Sequence, residues 1–462
     1  MIAKSADWLK PALAYVRDWL GFQMRMTEQP GCAIAIVHDG QVVLDTAFGH
    51  ADLTAGETLT PRHRFRVASH SKSFTAAGVM KLREQGRLKL DDTAGQYVAG
   101  LHPDVASATI TQLLSHTAGL FRDGIDSAYW SDRAPFADEA RVRQDLQLAP
   151  TIDANTRLKY SNHGFGLAGL VIQQVTGEPY DVWMRREILS PAGLRETTPD
   201  VPPPPRAKLA RGHSGKMLLG RRLIFPGDQP THALASATGF VSTAADLAKF
   251  FAQLAPNAAT SVLSPASRRE MTHPQWPDPF GLVERSYGLG TISGTLDGWD
   301  WFGHSGGFQG YLTRTAAVPD QSLAISVLTN AADGASHPWL DGALQILRRF
   351  QAEGPPSAKT AGWTGRWWSV WGATDLVAVG DKVLLAAPSQ NNPFFKAAEL
   401  TITGADEARI SEAGAFHSFG EPVRLVRGRS GKATALRVAG GVSLPEAALA
   451  KELISRYDAP RA

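Results

Sequence analysis

Arg66-Val67-Ala68-Ser69-His70-Ser71-Lys72-Ser73-Phe74-Thr75-Ala76-Ala77-Gly78-Val79-Met80 is the stretch on which the reading of this chain turns. Residues three apart on a helix share a face, so a helix opening near Ser69 brings its hydroxyl to the Lys72 amine. A serine hydroxyl is a poor nucleophile until a neighbouring base takes its proton. Lysine serves as that base once burial and nearby positive charge lower its pKa. A helix start at Ser69 also favours negative charge developing there. Chance gives about one or two Ser-x-x-Lys matches in a chain of this length. Only one occurs, and it runs into residues 74–80, apolar on nearly every side as a buried central helix is. A capping serine beside a surface lysine does not account for that run. The stretch points to acyl transfer by an activated serine.

Tyr160-Ser161-Asn162 is the only Tyr-x-Asn in the chain, and it precedes a helical stretch over 164–176 that Gly177 ends. A phenol near Lys72 can relay a proton to a leaving group, and the Asn162 amide can bind a substrate carbonyl or orient the lysine. Alone, these residues read as a core tyrosine with a capping asparagine.

His-x-Gly occurs three times, at His38, His213 and His304. His38 belongs to a hairpin whose strands, 33–37 and 41–48, flank the Asp39-Gly40 turn. His213 follows Pro202-Pro203-Pro204-Pro205 in a polar, basic stretch and reads as surface loop. His304-Ser305-Gly306-Gly307 precedes strands at 311–318 and 323–328 joined by a Pro319-Asp320 turn. It is expected at a strand edge whose glycines let backbone approach a ligand. The N–H groups of Ser69 and Gly307 can then form an oxyanion hole. Residues 303–307 also match a Gly-x-Ser-x-Gly nucleophile elbow, with Ser305 as nucleophile. An elbow needs strand, sharp turn and helix, whereas 306–313 has strand and turn character, and only His337 and His417 remain downstream.

With these motifs in this order, the chain resembles the penicillin-recognising serine hydrolases: class C β-lactamases, DD-peptidases, D-aminopeptidases and family VIII esterases. Leu113-Leu114-Ser115-His116-Thr117-Ala118-Gly119-Leu120 looks like the family's stretch between its first two motifs. Residues 237–247 are similar to its glycine turn and capped helix, and Tyr287-Gly288-Leu289-Gly290 to its strand before the third motif. The resemblance covers roughly residues 25–335. It implies an α/β fold, a β-lactamase-like antiparallel sheet with flanking helices and an inserted helical region. It makes Ser69 the nucleophile, Lys72 the general base, Tyr160 a proton relay and Asn162 a carbonyl or lysine ligand. His304, Gly306 and Gly307 take the substrate-binding and oxyanion strand, and no cofactor is implied.

The family's β-lactamases and DD-peptidases usually carry lysine where His304 stands, whereas its aminopeptidases often show His-x-Gly. An uncharged histidine suits an amide, an ester, or a peptide held by its free amine. The expected substrate is therefore a small peptide, amide or ester, with a D-aminopeptidase-like activity first and a carboxylesterase second. A ligand sensor or scaffold is the reading of another class, but it needs neither Lys72 nor Tyr160.

The 462 residues exceed one average domain and suggest two. A formal charge of +3, from 47 basic and 44 acidic residues, gives no reason to expect nucleic acid or an anionic membrane as partner. Arg221-Arg222 and Arg348-Arg349 read as solvated surface. The single cysteine, Cys32, sits in an apolar run and reads as a small buried hydrophobe. With no Cys-x-x-Cys, no His-Glu-x-x-His and thirteen scattered histidines, no metal site is expected. The N-terminus interleaves Lys4, Asp7, Lys10, Arg17 and Asp18 with Trp8, Leu9, Leu13, Val16 and Leu20, which is amphipathic helix spacing rather than a secretory segment. No uncharged apolar run approaches membrane-spanning length, so a cytoplasmic protein is expected.

The first domain is expected over 1–351: helix, hairpin, the Ser69 helix to Gly86, mainly helices from 91 to 255, strands from Tyr287 to Asn330, and a last helix through Trp339 to Phe350. Hairpins at both ends make its sheet antiparallel. The insert over 121–136 carries Phe121, Tyr129, Trp130 and Phe136, as pocket wall or as core. A linker over 352–361 contains Gly354-Pro355-Pro356. A second domain over 362–462 shows short strands at 365–368, 375–379, 382–385, 400–402 and 423–426, a small antiparallel barrel or sandwich. By resemblance to D-aminopeptidase relatives it is an all-β, lipocalin-like barrel, and residues 389–395 are either a loop entering the cleft or a plain surface turn.

Overall fold

The computed structural model describes residues 6–281, 283–414 and 418–458; Lys4 and His417, named above, lie outside them. The chain divides into two compact units, Gln29–Leu340 and Met1–Glu28 with Asp341–Ala462.

In the first unit, β1 (Gly31–His38) is apolar at almost every position and buried on both faces. Asp39 and Gly40 both take positive φ, 48° and 73°, as a two-residue type I′ loop requires, and return the chain as β2 (Gln41–Asp52). β3 (Glu57–Thr58) adds an edge, and β4 (Phe65–Arg66) leads to Ser69. Beyond the first helices come the short β5 (Gly212–His213), β6 (Ile224–Phe225), β7 (Val241–Ser242) and β8 (Trp276–Pro277). The unit closes with β9 (Arg285–Tyr287), β10 (Ile292–Leu296), β11 (Trp299–Phe308), β12 (Tyr311–Val318) and β13 (Leu323–Thr329). Among the described residues nine strands form one antiparallel sheet, ordered β3-β2-β1-β13-β12-β11-β10-β9-β8. Cys32 faces Thr329 and His38 faces Leu323, so the first and last strands of the unit meet inside the sheet.

The helix Ser71–Glu84 is buried at 11 of its 14 positions, as its apolar run predicts. Phe74 stacks on Phe240 and Phe250 at 4.5 and 4.0 Å between centroids, fixing the helix in the core. The helix Asn162–Thr176 starts two residues earlier than expected. Ser161 Oγ accepts from Gly164 N at its start, and Gly177, at φ 71°, ends it. The helix Ala244–Leu254, capped by Thr243, packs over β1 and β13.

His213 is not on a surface loop. It is fully buried in β5, its Nδ1 bonded to Asn330 O at 2.9 Å and its Nε2 accepting from Leu53 N at 3.3 Å. A two-residue strand is too short to show periodicity, which is why composition misplaced it. Arg222 is likewise nearly buried, paired with Asp333 at 2.5 Å. No helix among the described residues is long and apolar enough to cross a membrane.

The second unit holds β14 (Gly365–Ser369), β15 (Gly372–Val379), β16 (Lys382–Ala386), β17 (Ala398–Ile402), β18 (Glu407–Glu412), β19 (Pro422–Arg427), β20 (Ala433–Val438) and β21 (Gly441–Ser443), each paired with the next. Trp368 and Leu444 exchange backbone bonds of 2.8 Å, which joins the two ends of the sheet into a nearly closed eight-stranded barrel. β18, β20 and β21 add to the strands expected from the sequence. Inside lie Trp363, Trp367, Leu376, Val383, Leu400 and Leu436.

The helix Leu9–Met26 groups with this barrel, and the contacts divide the chain at Leu340/Asp341, ahead of the linker expected over 352–361. Trp19 Nε1 donates to Gln390 O at 3.2 Å and Gln23 Nε2 to Pro388 O at 2.6 Å. The loop over 389–395 is thus the seat of the N-terminal helix rather than a plain turn.

Candidate active site

β4 feeds a 3₁₀ turn, Ala68–His70, that runs into the helix Ser71–Glu84, so Ser69 sits just before the helix rather than opening it. The turn is pinned on both sides. Val67 N donates to Phe240 O at 3.0 Å, while Ser71 Oγ donates to Ala68 O at 2.5 Å and accepts from Phe240 N at 3.0 Å. Beneath it the His70 ring bonds Val67 O and Thr315 Oγ1, and burial holds its pKa down to about 4.

Lys72 Nζ donates to Ser69 Oγ at 3.1 Å, to Asn162 Oδ1 at 2.7 Å and to Ala237 O at 2.8 Å. Burial pushes this amine well below the ordinary lysine value; the Asp123 carboxylate opposes the shift and the Arg122 guanidinium adds to it. Tyr160 Oη donates to Ser69 Oγ at 2.7 Å, and burial raises the phenol above its ordinary value. The Ser69 oxygen therefore lies between an amine whose charged form burial disfavours and a phenol whose proton burial retains, the two kinds of partner an acyl transfer needs as base and acid.

Asn162 is bonded to the lysine. Its Oδ1 faces Lys72, and its Nδ2 donates to Asp123 Oδ1 at 2.5 Å. Asp123 also accepts from Trp130 Nε1 at 2.8 Å and Arg122 Nε at 3.0 Å, so the amide is held from behind. Asp123, Arg122 and the Ala237 carbonyl were not foreseen. Asp123 and Trp130 lie in the aromatic insert, but no spacing ties them to Lys72. In that insert Tyr129 and Phe136 are core, while Trp130 lines a hollow of about 400 Å3 together with Gly307.

Ser69, Tyr160, His304 and Gly307 line one cavity of about 470 Å3 with Arg122, Arg285 and Asp278. His304 Nε2 is bonded to Tyr287 Oη at 2.9 Å, and burial holds the imidazole well below its ordinary pKa, so it is uncharged. Gly306, next to Gly307 on the same strand, does not line this cavity. A Cβ there would overlap the Val67 carbonyl oxygen and lie 2.6 Å from Thr313 Oγ1, so its bareness lets β11 close on the Ser69 turn. Gly307 meets only Leu312 Cδ2, at 3.5 Å. Ser305 lies within β11, which turns back into β12 with no helix following, so the elbow's geometry is absent. A larger hollow of about 750 Å3 nearby is lined by Pro256, Pro274, Pro277 and Trp301 among others, but by no lysine or histidine that could act as base.

The family model described as Beta-lactamase matches residues 17–346, most of the chain. The chain belongs to the beta-lactamase family. It is thus a member of a family of serine hydrolases. Penicillin-binding protein 4 of Amycolatopsis lactamdurans is 28% identical over 315 residues, covering 65% of this chain and 81% of that protein. Protein flp of Staphylococcus aureus (strain MW2) is 30% identical over 176 residues, 37% of this chain and only 34% of that protein. Among solved structures, SurE superposes with a TM-score of 0.62 at 26% identity, covering 95% of this chain and 99% of that one. D-amino acid amidase from Ochrobactrum anthropi SV3, complexed with D-phenylalanine, gives a TM-score of 0.62 at 21% identity over 73% of this chain and 99% of that one, a likeness of fold.

Proposed function

We propose that this beta-lactamase family member is a cofactor-independent hydrolase that forms an acyl-enzyme on Ser69 and cleaves amide bonds of small peptides or amino-acid derivatives. The observation that carries this reading is the placement of Ser69 Oγ 3.1 Å from the buried Lys72 amine and 2.7 Å from the Tyr160 phenol. Lys72 takes the Ser69 proton as the oxygen attacks the substrate carbonyl. The Ser69 and Gly307 N–H groups hold the oxyanion, a contribution of about 10²–10³ in rate per donor. Tyr160 gives its proton to the departing nitrogen, and the Lys72 ammonium, 4.6 Å from the Tyr160 ring centre, stabilises and then reprotonates the phenolate. Water repeats the sequence on the acyl-enzyme. SurE, 25% identical to this chain, has been solved with D-Leu, which supports D-configured substrates here as well.

A carboxylesterase is the second reading, and one feature favours it. Asp278, the carboxylate lining the cavity, is held by Arg285 Nε at 2.7 Å instead of standing open to a substrate ammonium. Hydrolysis of a D-alanyl anilide, its N-acetylated counterpart and a simple aryl ester, with Ser69→Ala as control, separates the readings. Preference for the free amine supports an aminopeptidase; indifference to acetylation, or turnover of the ester alone, supports the esterase. Failure of a serine-directed phosphonate to label Ser69 would overturn both in favour of a ligand sensor.

A further inference from the structure

His116 sits just beyond the helix Ile110–Leu114, buried, with φ 60°, a conformation His and Asn adopt more readily than most residues. It grips the chain on both sides of Tyr160. Its carbonyl accepts from Lys159 N at 2.8 Å, and its Nδ1 accepts from Ser161 N at 3.1 Å. Its ring lies against the Tyr160 ring, 4.2 Å between centroids, and against Tyr287 at 4.6 Å, whose hydroxyl bonds His304. Because Nδ1 accepts an N–H, the imidazole is neutral and its proton sits on Nε2, which is buried and finds no hydrogen-bond partner among the described residues.

We propose that His116 is a positioning residue that holds the Tyr160 hydroxyl on Ser69 Oγ in the geometry that protonates the leaving group. The inference rests on the reading of Tyr160 as proton donor in the reaction above. Lys72 is held separately, by Asn162 and Ala237, so losing the His116 grip spares generation of the nucleophile and removes the acid. The loss therefore depends on the leaving group. An anilide nitrogen must be protonated to depart, whereas p-nitrophenolate leaves as the anion.

Asparagine places an oxygen where Nδ1 stands and tolerates positive φ; glutamine places its oxygen near Nε2 and leaves Ser161 N without an acceptor. In the full-length protein, H116Q is expected to lower kcat for the anilide by about 10²-fold and for the p-nitrophenyl ester by less than about 5-fold, the pattern expected of Y160F. H116N is expected to restore the anilide to within about 5-fold of native, and H116Q/Y160F to be no slower than Y160F alone. H116G, which takes the positive φ without strain, replaces H116Q if that variant does not fold. Equal losses on both substrates, no rescue by asparagine, or additive losses in the double variant would each overturn the positioning role. Phosphonate labelling of native Ser69 keeps the two claims apart. An unlabelled native protein sinks the hydrolase reading itself, whereas a labelled one with the wrong variant pattern sinks only the role of His116.

Discussion

A lysine on a protein surface is a cation at neutral pH, whereas burial of Lys72 disfavours its charged form, which the proposed role as base requires. With the amine held well below its ordinary pKa, kcat/KM is expected to fall as pH drops through that lowered value. The alkaline limb belongs to Tyr160, whose phenol is raised, so it lies above about pH 10. Arg122→Gln removes a charge that lowers the Lys72 pKa and should move the acid limb to higher pH; Asp123→Asn removes one that raises it and should move the limb lower. A pH–rate profile of ester hydrolysis reads both signs. Ser69→Ala and Lys72→Ala should each remove about 10⁴-fold or more of kcat/KM, while Ser305→Ala should stay within a few-fold. Steady-state kinetics with that trio decides between the Ser69 site and the elbow. Ser69 and Lys72 were legible because three residues of helix join them, and Tyr160 because its motif occurs once. Asp123, Arg122, His116 and Ala237 reach Lys72 or Tyr160 only through packing between distant segments, and no local period announces such a meeting.

At the scale of elements, β11 and the Ser69 turn behave as one piece because Gly306 has no side chain. Gly306→Ala must push the strand off Val67 and should cost about 1–3 kcal/mol along with most activity. Gly307→Ala has room, so its melting temperature should stay near native while kcat falls if its N–H serves the oxyanion. Thermal unfolding of the two variants beside their turnover tests the contrast. The hairpin strands were readable from their turns: Asp39-Gly40 dictates the loop, and the Pro319 turn separates β12 from the strongly apolar β13. In β18, by contrast, only Ala408 and Ile410 point inward between charged neighbours, too faint an alternation to stand out. The Asp123 carboxylate behind the Asn162 amide comes from a segment about forty residues away, so no local spacing announces the pair.

For the whole molecule, the visible linker around Gly354-Pro355-Pro356 suggested a boundary by composition, while the membership of the N-terminal helix is written in contacts with residues far away in sequence. Trp19, fully buried, should be a keystone of the barrel unit. Trp19→Ala is expected to cost that unit about 3–5 kcal/mol, seen as faster amide exchange over the 388–391 segment, while phosphonate labelling of Ser69 persists. The seam between β1 and β13 has a further consequence during synthesis. Residue 32 leaves the ribosome almost three hundred residues ahead of its partner Thr329. At about 5–20 residues per second the apolar strand waits about 15–60 s with one edge bare, paired only to β2. A nascent chain thus carries Ser69 well before the strand that bears His304 and Gly307, and the bare β1 is an apolar surface open to a chaperone meanwhile.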